Sequence, residues 1–177
     1  MENIILGGGC FWCTEAIFIS LKGVHEAIPG YSGGTTENPS YNEICTGKTG
    51  HAEVVKITYD PETISTEGIL EIFFRTHDPT SLNRQGADVG TQYRSIIIYM
   101  NENQKRSALE IISEMEREKV YDKPIVTSVE NYMNFYPAEE YHRRYFEKNP
   151  EQGYCRFVIA PKMEKPKKMH SENMKNI

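Results

Sequence analysis

Ile4-Ile5-Leu6-Gly7-Gly8-Gly9-Cys10-Phe11-Trp12-Cys13 is the stretch that sets the architecture of this chain. Three apolar residues in a row read as a short buried strand, and three glycines break it. From Cys10 the pattern turns helical: Phe11, Glu15, Phe18, Ile19 and Leu21 recur near 3.6 residues, until Gly23 ends the helix. The unit is therefore strand, glycine turn, helix, with a thiol at the helix start.

Working outward, Val24 to Ile28 reads as a strand, and Pro29 to Tyr41, rich in Gly, Pro, Ser, Thr and Asn, as a long loop. Ala52 to Tyr59 alternates through Val55, Ile57 and Tyr59 as a strand does. Ser65 caps a helix to about Thr76 with Ile69, Leu70, Ile72, Phe73 and Phe74 inward. His77 to Arg94 is a second long polar loop. Ser95 to Met100 is a strand, and Asn101 caps a helix over about 102–119 with Leu109, Ile112 and Met115 on its apolar face. Ile125 to Tyr132 reads as a strand, Pro137 to Phe146 as a short helix, and Gly153 to Ile159 as extended chain. Strands and helices interleave, but the neighbouring strands and long loops disfavour a doubly wound sheet. The expectation is an α+β sandwich, helices on one side of a mixed sheet, with one catalytic domain over 1–160 and a flexible Lys-rich tail over 161–177.

The 177 residues suit one core, and 38% hydrophobic content excludes wholesale disorder. A net charge of −5 with no basic stripe argues against nucleic acid as a partner. The apolar run at the start is too short for a secretory signal, and no stretch approaches the roughly 20 residues that span a bilayer. The chain reads as soluble and cytoplasmic. In a reducing compartment its four cysteines, Cys10, Cys13, Cys45 and Cys155, point to chemistry or packing rather than structural bridges.

Cys10 faces the unpaired N–H groups and positive end of its helix, which favour a thiolate and a lowered pKa. Cys10-Phe11-Trp12-Cys13 is also a C-x-x-C motif, suited to thiol–disulfide exchange; no second pair completes a zinc site. Phe11 and Trp12, the only tryptophan, form an aromatic wall beside the thiol. Two carboxylates compete as proton donor: Glu53, where a loop enters a strand and an apolar setting would keep it protonated, and Glu15, which could instead brace a loop. Glu139-x-x-His142 reads as surface, and Cys45 beside Ile44 as packing. Cys155, in a glycine-containing segment, suits a mobile resolving thiol.

Seven segments occur in order: Gly9-Cys10-Phe11-Trp12, Gly30-Tyr31-Ser32-Gly33-Gly34, Asn38-Pro39-Ser40-Tyr41, Thr49-Gly50-His51-Ala52-Glu53, His77-Asp78-Pro79, Gly90-Thr91-Gln92-Tyr93-Arg94-Ser95 and Gly153-Tyr154-Cys155. Together, across roughly residues 4–155, the chain resembles the A-type peptide methionine sulfoxide reductases. The resemblance implies a two-layer sandwich with a ferredoxin-like core. It places the nucleophile on Cys10 and the acid on Glu53, and assigns Tyr41, Asp88 and Tyr93 to the sulfoxide oxygen and Phe11 and Trp12 to the methyl pocket. It implies reduction of the S epimer, a sulfenic acid on Cys10 and a disulfide reduced by thioredoxin, with no metal or bound cofactor. Many relatives carry a small residue at Cys13 and a further recycling cysteine beyond Gly-Tyr-Cys; this chain does neither. Cys155 matches the resolving position, and Cys13 is close enough to compete or to act in a relay. The alternative is a general disulfide oxidoreductase using Cys10 and Cys13, which gives Glu53, Tyr41 and Tyr93 no task.

Overall fold

The structure is a computed structural model that describes residues 1–169, 174 and 175. Strand β1 (Glu2–Gly7) leads through the glycine turn into α1 (Phe11–Ile19), then β2 (Val24–Ser32), α2 (Tyr41–Cys45), β3 (Ala52–Tyr59) and α3 (Thr66–Thr76). A two-stranded ribbon, β4 (Arg84–Gln85) and β5 (Asp88–Val89), precedes β6 (Ile96–Tyr99), α4 (Glu102–Arg117), β7 (Ser128–Asn131), β8 (Tyr136–Pro137), α5 (Tyr145–Lys148) and α6 (Ala160–Met169). The six-stranded sheet runs β7-β6-β1-β3-β2-β8. Its four central strands, joined as βαββαβ and all antiparallel to their neighbours, form the ferredoxin-like unit. Helix α4 then carries the chain over to β7, which pairs in parallel with β6 and makes the sheet mixed.

Alternation along the strands divides the apolar residues between two faces. Ile4 and Leu6 of β1 join Val55, Ile57, Tyr59 and Ile97 in the main core, with Phe11, Ile17 and Phe18 of α1 and Ile69, Ile72 and Phe73 of α3. Ile5, Val54, Ile96 and Ile98 form a smaller cluster on the opposite face, covered by Met100 and Phe135. The helices thus lie on one side, as expected. Among the described residues no helix is long and apolar enough to cross a membrane.

Local signals explain the boundaries. Ser65 accepts the Gly68 N–H at 3.1 Å and starts α3, and Asn101 accepts the Gln104 N–H at 2.9 Å and starts α4. At the far end of α3, His77 Nδ1 donates to the Phe73 carbonyl at 2.6 Å, which leaves Nε2 to accept from the Ser95 hydroxyl at 2.7 Å. Burial holds His77 down at about 4, so it is neutral.

Several sequence expectations are corrected. On α4, Ile112 and Met115 pack against the main core as expected, but Leu109 is exposed, and the buried positions are Gln104, Ser107 and Ala108. Pro137 ends a strand; the short helix expected to run from it is broken into a turn at Glu140–His142 and α5. Gly153 to Ile159 is helical rather than extended, with a π-turn at Cys155–Ile159 in which the Ala160 N–H donates to the Cys155 carbonyl. The tail set apart as flexible from residue 161 continues as α6 to Met169, with Met163 packed into the main core. Met174 bridges to Leu21, and the Lys175 ammonium donates to the carbonyls of Ile19 and Val24; residues 170–173 and 176–177 of that tail lie outside the described residues.

Candidate active site

Cys10 is the N-cap of α1, with its own carbonyl accepting the N–H groups of Cys13 at 3.1 Å and Thr14 at 3.4 Å. Gly9 makes the entry possible: its φ of 101° is left-handed, and a Cβ there would sit 2.8 Å from Gln85. Gln85 in turn exchanges hydrogen bonds with the Asp78 backbone at 2.5 and 3.0 Å, so the β4–β5 ribbon is clamped over the turn before the thiol.

On the neighbouring strand β3, Glu53 is 2% exposed. Its Oε2 accepts the Phe11 N–H, one of the free donors at the start of α1, at 3.2 Å. Burial dominates that bond and pushes the carboxyl up to about 8, with the nearby Asp88 and Cys13 adding. Glu53 therefore holds its proton at pH 7 and bears on its neighbours as a charge only when it ionises, toward pH 8 and above.

The thiol pair differs from expectation. The helix terminus does act on Cys10, through a hydrogen bond from the Trp12 N–H, but it is outweighed. Cys10 is raised well above the ordinary thiol value, first by donating a hydrogen bond to Cys13, then by burial and by the Glu53 charge. Cys13 is lowered, chiefly by that same bond, against burial and with help from Lys162 and the Tyr154 hydroxyl. Lys162 lines a narrow crevice with Cys13, Gly8, Thr14 and His77. Of the two thiols, Cys13 is the more readily ionised. Cys155 is fully buried on its π-turn, raised by burial and by the charge of Cys13. Cys13 stands in interaction with both other thiols. Cys45 is exposed, not packed.

Tyr41, at the start of α2, and Tyr93, in the turn after β5, both feel the Glu53 charge; burial first, then Glu53, raises each hydroxyl far above its ordinary value, so both remain donors. The Tyr93 hydroxyl also senses Asp88 and Cys10. Asp88 accepts the Tyr154 hydroxyl at 2.6 Å. The glycine loop after β2 is fastened by the Thr49–Glu53 segment: the Gly34 N–H donates to His51 Nδ1 at 3.0 Å, and Arg94 Nη2 donates to the Gly50 carbonyl at 2.9 Å. With the His77–Ser95 bond, all seven of the sequence segments singled out above are joined by direct contacts or by charge.

Trp12 stacks on Tyr145 with ring centroids 3.8 Å apart and planes 6° from parallel, and Tyr154 meets it edge-on. Its indole N–H donates to His142 Nδ1 at 3.0 Å. His142 is buried among Phe11, Trp12 and Tyr41, and Glu139 accepts both the Tyr31 hydroxyl at 3.1 Å and the Tyr41 N–H at 3.2 Å. The Glu139/His142 pair is thus a support of the site, not surface. Its spacing was visible in the sequence; its partners Tyr31, Tyr41 and Trp12 lie about a hundred residues or more away, so no local signal marked it as inward-facing.

A helix-end thiol paired with a second thiol, a neutral buried carboxylic acid and an aromatic wall form a site for reducing a small apolar group that carries a basic oxygen. A family model described as peptide methionine sulfoxide reductase matches residues 2–175. The chain belongs to that family. It is 59% identical over 166 residues to the peptide methionine sulfoxide reductase MsrA of Picrophilus torridus, covering 93% of each chain. Among solved structures it is similar to methionine sulfoxide reductase A of Corynebacterium diphtheriae, with a TM-score of 0.82 and 37% identity over 88% of this chain and 78% of that one. It is also similar to Mxr1 of Saccharomyces cerevisiae in a complex with Trx2, with a TM-score of 0.58 and 25% identity over 81% of this chain and 84% of Mxr1.

Proposed function

We propose that the chain reduces the S epimer of methionine sulfoxide, free or in proteins, with Cys10 as nucleophile and Glu53 as acid. The observation that carries this reading is Glu53, buried on the Phe11 N–H with its carboxyl pushed up to about 8, beside the half-buried Cys10. A sulfoxide oxygen must gain a proton as the sulfur is attacked, and a carboxyl neutral at pH 7 supplies it. Phe11 and Trp12 take the methyl group, and Tyr41, Tyr93 and Asp88 surround the oxygen.

The Cys10 proton passes along its hydrogen bond to Cys13, and the Cys10 sulfur attacks the sulfoxide sulfur while Glu53 protonates the oxygen. Oxygen transfer leaves methionine and a Cys10 sulfenic acid. The sulfur of Cys13 then displaces the hydroxyl, which leaves as water, and a Cys10–Cys13 disulfide forms. Cys155 attacks Cys13, moving the disulfide to Cys13–Cys155 and freeing Cys10. A thioredoxin dithiol reduces it, as the family resemblance and the Mxr1–Trx2 complex suggest. The contacts favour Cys13 for the first of these steps, ahead of the Cys155 favoured by sequence alone.

The test supplies each epimer of N-acetylmethionine sulfoxide with excess dithiothreitol to the wild type and to C10S. Reduction of the S epimer alone, abolished in C10S, is the expected result; no reduction of either epimer by folded wild type refutes the reading. Rapid-quench turnover without added reductant orders the thiols: C13S should lose the Cys10 disulfide, and C155S should retain it.

A further inference from the structure

Helix α1 carries a second buried acid that this chemistry leaves unused. Glu15 is 2% exposed, and its two oxygens lie 2.9 and 3.0 Å from a single donor, the backbone N–H of Arg144. Arg144 is left-handed, with φ 55°, at the point where the chain passes from the Glu140–His142 turn into α5. A residue with a side chain adopts that conformation at a cost and holds it only where its surroundings impose it. The Arg144 guanidinium makes its ion pair outward, with Glu147 at 3.0 Å, and acts on Glu15 through its charge alone.

Two residues before Arg144 and one after it are the groups that hold Trp12: His142, which accepts the indole N–H, and Tyr145, which stacks on the ring. Trp12 and Glu15 are three residues apart and share a face of α1. One helix face therefore grips one short segment twice, by a ring and by a carboxylate, and the left-handed turn lies between the two grips.

We propose that Glu15 is a positioning residue whose carboxylate fixes the turn at Arg144 and, through His142 and Tyr145, orients the Trp12 ring that walls the methyl pocket. The role of the pocket rests on the function proposed above. Glu15 touches neither thiol nor Glu53, so the effect belongs to substrate binding rather than to the chemical step.

Trp12 is the only tryptophan, so its fluorescence reports the cradle directly. The experiment compares wild type, E15A, E15D and E15Q by acrylamide quenching without substrate, and by steady-state kinetics on N-acetylmethionine S-sulfoxide with dithiothreitol. In E15A, quenching should increase and KM should rise on the order of tenfold, with kcat within about twofold of wild type. E15Q, which keeps an oxygen at full reach, should recover most of both. E15D keeps the carboxyl group but is one methylene short, and should behave like E15A; it carries the test if E15A does not fold. Folded E15A or E15D with wild-type quenching and KM overturns the proposal. If the wild type reduces no sulfoxide, the proposed reaction fails, and quenching, which needs no turnover, still decides the cradle.

Discussion

Replacing Glu53 by Gln separates what this side chain costs the fold from what it contributes to the site. The amide keeps the shape and an oxygen for the Phe11 N–H, but cannot ionise. In the unfolded chain a glutamate titrates near 4.5; folded, Glu53 titrates at about 8. Between those values the native state holds a proton that the unfolded state has released, so wild-type stability falls as pH rises through the window. At about 1.4 kcal/mol for each pH unit, the full loss is about 5 kcal/mol, complete above pH 8 and absent below 4.5. E53Q lacks this slope. Urea denaturation of both proteins under reducing conditions at pH 5, 7 and 8.5 should therefore show the variant gaining on the wild type, with a difference that widens to several kcal/mol. Over the same range its sulfoxide reductase activity should be lower by about 10²–10⁴. A stability difference that stays constant from pH 5 to 8.5 would refute the neutral buried acid, whatever the activity.

The same acid shapes the rate profile: kcat/KM should fall above about pH 8 as Glu53 loses its proton and its charge disfavours a Cys10 thiolate, and a pH–rate series that continues to rise would contradict this. His77 is held down at about 4 by burial, so its own contribution to stability is lost as pH drops from about 6.5 through 4, and in the same denaturation series the wild type should lose ground to H77Q over that range. Gly9→Ala, at φ 101° and with its new Cβ against Gln85, should lose more than about 1 kcal/mol of stability and reduce kcat by shifting Cys10 and the Asp88 ribbon. Phe73→Ala, emptying a fully buried position, should cost about 3–5 kcal/mol by urea denaturation, without altering the pH of half-maximal rate.

Most of the frame was legible because its signals are local. The Ser65 and Asn101 caps, the alternation of Ala52 to Tyr59 and the glycine break before Cys10 each act within a few residues. The residues alone left Glu53 and Glu15 as candidate proton donors and the family resemblance chose Glu53; the structure buries both carboxyls, each on a backbone N–H. What escaped was tertiary. No local pattern says that Glu139 will meet Tyr31 and Tyr41 across about a hundred residues, or that Arg144 will be left-handed to suit a carboxylate on α1. The Cys10 pKa was misjudged in part for the same reason: Cys13 stands in the same motif and was in view, but the burial and the carboxyl of Glu53 come from elsewhere in the fold. Gly153 to Ile159 and the residues after Lys162 lack a clean apolar period, yet Cys155, Ile159 and Met163 are drawn into the core from successive turns.

The two margins of the sheet bear on how such a protein keeps company. β7 spans four residues and includes Glu130; β8 spans two, one of them Pro137, which has no N–H to offer. Neither presents a long row of free backbone groups for another chain to copy. Outer strands this short limit the edge-to-edge pairing through which other chains, damaged ones included, could build on the sheet.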